Sequence, residues 1–379
     1  MATSEPPPPP PPPPPSTTPQ RWKRELRVML RIALPIVATN LLGVTMTLVD
    51  FAMVGRLGKE ELGGAALGNT VFYLLHFPML GLLTALDTLL AAAFGAGNFE
   101  AYGAWTQTAS AVVSALSIPV SVFLGVATTP LLLAIGQDAT LSKLAGRYCA
   151  HLTWGLLPYY LFIVAMKFMQ TQRVLAPPVW IAVIANVVNV GLNYALIYAA
   201  DLGFDGAPIA TSASRWFQFI AGMTYLLSRP ASTAKTRPRS FIGWRRLRRS
   251  VVAFASLAGP GLAMLMIEAW TFEITTIMAG YLGTVALDAH LTMLQLATFS
   301  FLSLPFAVAA AATIRIGAAL GGGAFYVTLV PIRPRWRGER RSLRTFPGAS
   351  LHPGSLAFNP RPRRLSTPTD AFELHPDVR

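Results

Sequence analysis

Two glutamates lie where a carboxylate is hardest to keep. Residues 259–283, GPGLAMLMIEAWTFEITTIMAGYLG, are long and apolar enough to cross a bilayer yet carry Glu268 and Glu273. An ionised side chain at the centre of a membrane helix costs roughly 2.5–3.5 kcal/mol on insertion scales, so acids there point to a proton or a cation as their partner. On a helix, five residues correspond to roughly 140° of rotation and about 7.5 Å of rise, so the two acids do not share a face. Glu268 reads as the cavity acid and Glu273 as its support. A third acid, Asp50, ends a stripe in which Asn40, Gly43, Thr47 and Asp50 recur at helical spacing. Such a stripe faces protein or water; Asp50 then either lines a cavity or caps the turn before Gly55. Asn186, Asn189 and Asn193 line one face of a later apolar run, as an interhelical hydrogen-bonding surface or as a cation or substrate surface. Gln218 lies near the start of the next run beside Arg215 and Trp216, and Trp270 lies between the two glutamates. No nucleophile constellation, metal-ligand spacing or phosphate-binding loop accompanies these groups, so neither enzyme chemistry nor a metal site is expected.

Composition sets the medium in which these groups work. The 379-residue chain is 53% hydrophobic and 13% charged, too apolar for a soluble enzyme of this size. Its formal net charge of +14 gathers at the ends of apolar runs and in the last fifty residues or so, which is a topological pattern and not a nucleic-acid footprint. The lone Cys149 excludes an intramolecular disulfide and reads as a small apolar filler. The class is all-α, a polytopic membrane protein.

Residues 1–26 hold the proline run Pro6 to Pro15 and then a basic flank that includes Arg21, Lys23 and Arg24. The prolines form an extended rod or tail, either low-complexity decoration or a docking site for a proline-reading domain. Six apolar spans occupy residues 27–228, near 28–54, 62–94, 105–135, 152–169, 179–199 and 207–227. A basic loop at 229–250 follows, with Arg229, Lys235, Arg237, Arg239, Arg245, Arg246, Arg248 and Arg249. Residues 251–323 supply two further spans, and residues 324–379 are Arg- and Pro-rich with no run long enough to cross a membrane.

The seventh span restarts the pattern of the first. Pro260, Met278, Gly280, Leu282, Gly283 and Leu287 lie 225 positions beyond Pro35, Met53, Gly55, Leu57, Gly58 and Leu62. Internal repeats mark secondary transporter folds, and a unit of six spans makes the two copies parallel, related by an axis along the membrane normal. The expected architecture is a complete six-helix first lobe followed by two helices of a second.

Four segments carry a resemblance: VDFAMVGRLG (49–58), ALDTLLAAAFGAG (85–97), MQTQ (169–172) and IEAWTFE (267–273). From about Arg27 to Gly322 the chain resembles the multidrug and toxic compound extrusion (MATE) family of secondary antiporters, in its eukaryotic branch. Glu268 and Glu273 match a pair of glutamates five residues apart in the family's seventh helix, Asp50 a first-helix aspartate, and Asn189 and Asn193 an Asn and an Asp of the fifth helix in prokaryotic relatives. Two positions depart from the family. Ala92 stands where a glutamine is usual, and Asn193 where an acid would titrate, which shifts proton handling toward Asp50 and the seventh helix.

The resemblance implies export of organic cations, drugs or secondary metabolites in exchange for protons or sodium, through a cavity between two lobes of six helices. No cofactor beyond that coupling ion is implied. Glu268, Glu273 and Asp50 are the expected coupling acids, and Asn40, Thr47, Asn186, Asn189, Asn193, Gln218 and Trp270 the expected cavity wall. The expected partners are a small-molecule substrate and the lipid bilayer, with no nucleic acid. The expected setting is the plasma or vacuolar membrane, with the N-terminus cytoplasmic. A multispan receptor or channel is the rival class, against which the repeat and the paired acids argue. Because the second repeat holds two spans and the first six, the further expectation is a truncated chain that does not transport alone, with spans seven and eight short of packing partners.

Orientation is directly testable. The N-terminus and residues 229–249 are both basic and are separated by an even number of spans, so tags at the two positions are expected on the same, cytoplasmic face. Tags reporting on opposite faces would contradict the parallel repeat.

Overall fold

Every apolar run read from the sequence contributes helix to the computed structural model, which describes residues 19–228, 236, 241–281, single positions between 289 and 300, and 304–322. In chain order the helices are α1 (Pro19–Val54), α2 (Lys59–Gly95), α3 (Phe99–Ala134), α4 (Ala139–Thr171), α5 (Ala176–Ala199), α6 (Gly206–Ser228), α7 (Trp244–Tyr281) and α8 (Pro305–Gly321). Single π-turns, Phe123–Ala127 and Ala195–Ala199, interrupt α3 and end α5. The proline run and the Arg-rich tail lie outside the described residues.

Six of these helices, α1 to α5 and α7, are long and apolar enough to cross a membrane. The sixth expected span, α6, does not reach that hydropathy because it carries Thr211, Ser212, Ser214 and Gln218. All four are buried, so its polar face is turned into the protein and not toward lipid. The eighth expected span, read as 287–320, is described as the 17-residue helix α8, with only scattered positions before Pro305.

The helices outrun the apolar runs, and capping explains where they begin. The Asn98 side chain accepts a hydrogen bond from the Ala101 amide (2.9 Å), which starts α3 ahead of the expected Trp105. Asp138 accepts from Thr140 N (2.8 Å) and Leu141 N (3.0 Å), which starts α4 thirteen residues before Leu152. At 33 residues α4 is about 50 Å long, well beyond the ~30 Å hydrocarbon core, so its ends stand in the interface. The boundary expected at residue 250 also moves. Trp244 opens α7, so Arg245, Arg246, Arg248 and Arg249 sit on its first turns and not in a loop.

Packing is centred on α2, which contacts α3, α4, α7 and α8, while α4 also packs on α3 and α6. Helix α5 lies between α1 and α6, and α8 rests on α1 and α2. Small residues make the crossings of α2 with α7 and α8. A side chain at Gly81 would meet Leu262 Cα of α7 at 2.8 Å, and one at Gly317 would meet Ala91 Cβ at 2.8 Å. The α2–α8 crossing is reciprocal: Gly95 abuts the Ala318 carbonyl and Gly321 abuts the Ala92 carbonyl. Close approach of this kind is what small residues allow between membrane helices. Ala92, the position that departs from the family's glutamine, is therefore part of a backbone-to-backbone contact. The expectation that α7 and α8 lack packing partners is corrected in part. Both dock on α2, whereas beyond Leu262 the α7 side chains Met264, Ile267, Ile274 and Met278 are exposed.

Polar contacts tie the remaining helices and the linker. Tyr102 Oη of α3 donates to the Phe168 carbonyl of α4 (2.6 Å) and lies 2.5 Å from Thr171 Oγ1. Gln172, from the MQTQ segment, donates to Tyr102 Oη (3.3 Å) and accepts from Thr236 of the linker (3.1 Å). The linker is further held by Ile242 N on Gln107 Oε1 (2.9 Å) and by the Arg246–Glu100 ion pair (2.6 Å). Cys149 fills a buried site as expected and donates from Sγ to the Gly68 carbonyl (3.2 Å).

Between α2 and α4, Lys167 Nζ lies 2.7 Å from Asp87 Oδ2, with the two side chains only 11% and 9% exposed. Removing one partner of a buried ion pair leaves the other charge uncompensated, at a cost of about 3–5 kcal/mol, whereas replacing both with apolar groups is often neutral. Lys167→Met is therefore expected to lower the thermal unfolding midpoint of the purified chain sharply, and Asp87→Leu/Lys167→Met to recover most of the loss. A double variant no more stable than Lys167→Met would refute this account.

Candidate functional site

Asp50 lies one turn before the end of α1 and is 2% exposed. A carboxylate so buried needs donors, and they come from two other helices. Asn193 Nδ2 of α5 donates to Asp50 Oδ1 (2.7 Å), as does Asn189 Nδ2 one turn earlier (3.3 Å). Thr211 Oγ1 of α6 donates to Asp50 Oδ2. Asn189 Nδ2 also lies 3.4 Å from Thr211 Oγ1, so the four side chains form one network joining α1, α5 and α6. Asn189 and Asn193 are fully buried, and their Oδ1 atoms have no hydrogen-bond partner among the described residues. The site thus holds a carboxylate against two amide donors and a hydroxyl, with two buried amide oxygens left without a partner among the described residues. A carboxylate within a membrane lobe can take up a proton or a cation.

A fixed cation stands near it. Arg215, one turn after Thr211 on α6, holds its guanidinium 4.7 Å from the Phe72 ring centroid and 4.6 Å from that of Tyr159. Its Nη1 is buried with no hydrogen-bond partner among the described residues. Phe72 also stacks on His76 (5.5 Å), whose Nδ1 pairs with Tyr160 Oη (3.2 Å). Aromatic faces attract cations, so this clamp holds the Arg215 guanidinium against the Phe72 and Tyr159 rings.

The structure sorts the residues expected at the site. Asp50, Asn189 and Asn193 converge. Asn186, on the same stripe, instead donates to the Leu42 carbonyl (3.0 Å) and fastens α5 to α1. Asn40 and Thr47 are half-buried along α1, and Gln218 is buried on α6 nearly two turns beyond Thr211. Glu268 is half-buried on α7 and makes no hydrogen bond or ion pair with another described residue, and Trp270 is 57% exposed. No hydrogen bond or ion pair among the described residues links Glu268 to the Asp50 network. The Glu273 side chain lies outside the described residues. Sequence reasoning missed Thr211 as a ligand of the carboxylate and the Arg215 clamp. The signal was present in T211-S-A-S-R215, polar residues with helical spacing in a span otherwise read as apolar.

Comparison with known proteins decides the family. A family model described as MatE matches residues 35–195 and 260–327. The chain belongs to the MATE family. The two matched stretches start at Pro35 and Pro260, the prolines that set the 225-residue repeat. Among curated relatives, multidrug and toxin extrusion protein 2 of Mus musculus is 31% identical over 304 residues, covering 79% of this chain and 52% of its own length. Protein DETOXIFICATION 18 of Arabidopsis thaliana is 32% identical over 301 residues, covering 79% of this chain and 63% of its own length. This MATE chain therefore spans about half to two thirds of the length of these relatives. Among solved structures, the eukaryotic MATE transporter AtDTX14 superposes with a TM-score of 0.73 at 26% identity, over 80% of this chain and 67% of that one. The Vibrio cholerae MATE transporter VcmN, at 18% identity and a TM-score of 0.72, shares the fold. The chain is a multi-pass integral membrane protein of all-helical fold.

Proposed function

We propose that this chain belongs to a secondary active antiporter that exports organic cations, drugs or secondary metabolites in exchange for protons or sodium. The observation that carries the reading is the Asp50 network: an acid buried within a membrane lobe and bonded by Asn189, Asn193 and Thr211. Its physical logic is competition. A carboxylate in a membrane lobe holds either its proton, a small cation or a cationic substrate, so loading one releases another. Relatives carrying the names multidrug and toxin extrusion and DETOXIFICATION support the substrate class. Glu268, within the seventh helix, is the second exchanging group in this reading and Glu273 its support. The membrane is the plasma or vacuolar membrane with the N-terminus cytoplasmic, in keeping with the basic flanks.

A second reading, a chain that does not transport by itself, is favoured by the exposed face of α7. Met264, Ile267 and Trp270 lie there beside Glu268, unlike the enclosed wall of Asn189 and Asn193.

Both readings are tested by reconstituting the purified chain in vesicles loaded with tetraethylammonium and imposing a pH or sodium gradient. Gradient-driven efflux is expected from the first reading. Glu268→Gln is expected to cut it by at least tenfold, because the amide keeps the size but exchanges no proton, and Asp50→Asn to impair it less. Efflux by Glu268→Gln at the wild-type rate would remove Glu268 from the scheme. Gradient-independent retention by well-folded wild-type chain would establish the second reading.

A further inference from the structure

A groove on the other side of the same three helices has no part in the Asp50 network. Near the basic end of the lobe, α1, the turn between α4 and α5, and α6 leave an open cavity of about 1320 Å³. That exceeds the roughly 300–1,000 Å³ of ordinary small-molecule pockets. Its walls are apolar and turned outward: Leu34, Trp180, Ile184 and Ile220 line it and are 58%, 65%, 48% and 55% exposed. Its mouth is polar and cationic, with Arg31 of α1, Arg173 of the α4–α5 turn, and Tyr225 and Ser228 near the end of α6.

The two arginines are placed and uncommitted. Arg173 holds a φ of +61°, the left-handed conformation that non-glycine residues seldom adopt, and its amide closes α4 on the Gln170 carbonyl (2.9 Å). This fixes the direction in which its side chain leaves the turn. Neither the Arg31 nor the Arg173 side chain has an ion-pair or hydrogen-bond partner among the described residues, and no acidic residue is among the described residues that line the groove. By contrast, Arg147 is paired with Asp205, Arg246 with Glu100 and Arg315 with Glu25.

We propose that this groove binds an anionic phospholipid of the cytoplasmic leaflet. Arg31 and Arg173 hold the headgroup phosphate, and the acyl chains lie along Leu34, Trp180, Ile184 and Ile220. Guanidinium groups recognise phosphate oxygens with directed, charge-assisted hydrogen bonds. Basic pockets between membrane helices on the cytoplasmic side suit such headgroups, and aromatic side chains such as Trp180 and Tyr225 settle at the interface. The same two charges repel an organic cation, so the groove is no entry route for cationic substrate. A lipid seated there bridges α1, α5 and α6, the helices whose spacing the Asp50 network needs. The inference rests on the multi-pass membrane reading and not on antiport, so it stands or falls without a transport assay.

The test uses the full chain purified in nanodiscs. Retained lipid is counted by native mass spectrometry with phosphatidylserine and phosphatidylcholine of identical chains supplied in equal amounts. Phosphatidylserine is expected to be retained preferentially, and inorganic phosphate at millimolar concentration is expected not to displace it. Arg31→Gln/Arg173→Gln is expected to lower the preference about thirtyfold, two basic residues acting at a charged surface. Arg248→Gln/Arg249→Gln, an equal charge loss at the same basic side, is expected to leave it within about twofold. Ala221→Trp, which fills the groove while sparing both arginines, is expected to abolish retention of either lipid. Equal retention of the two lipids by the wild-type chain would overturn the proposal. So would equal losses in the two double variants, displacement by free phosphate, or unchanged retention in Ala221→Trp.

Discussion

A carboxylate taken out of water must be surrounded by donors, and in this lobe that requirement fixes which helices stand together. Asp50 draws its hydrogen bonds from Asn189 and Asn193 of α5 and from Thr211 of α6, so α1 cannot shift against either without stranding a buried charge. Asn186 adds a further bond from α5 to α1 two turns away. Buried side chains of α2, α3 and α4 then supply the apolar mass of the lobe, with Trp105, Tyr102, Tyr148 and Tyr160 among the largest fully buried groups. The polar network sets positions, and the apolar core supplies most of the stability.

The same constraint explains what the two lobes share and where they differ. Pro35 and Pro260 open the two matched stretches, and the small-residue contacts Gly95–Ala318 and Gly321–Ala92 make α2 and α8 lie backbone to backbone. At the polar sites the copies part. The first lobe encloses its acid among three donor side chains, with Arg215 clamped nearby, whereas Glu268 stands half-buried on a helix with an exposed apolar face. The proposed antiport uses this difference, since it needs groups that load and unload in different states.

Much of this arrangement was legible in the sequence because lipid makes polar residues conspicuous. The spans and the repeat follow from apolar length and pattern, and helical spacing singled out the stripes that hold Asp50, Asn189 and Asn193, while that these belong to one site came from the family resemblance. Three things were not legible. Helix starts depended on the caps Asn98 and Asp138, which lie outside the apolar runs. The role of Asn186 depended on which carbonyl of α1 came within reach, a matter of interhelical distance that spacing does not carry. The Lys167–Asp87 pair joins residues 80 positions apart, and nothing local in either span announces the other.

The central claim is that Asp50 is a group of the first lobe that exchanges a proton or a cation. Infrared difference spectroscopy on the purified chain, recorded between acidic and alkaline buffer, reads carboxyl protonation directly. The account predicts a carboxylic C=O band in the wild-type difference spectrum that disappears in Asp50→Asn and shifts in Thr211→Val, which removes one of its hydrogen-bond donors. A difference spectrum left unchanged by Asp50→Asn would contradict it.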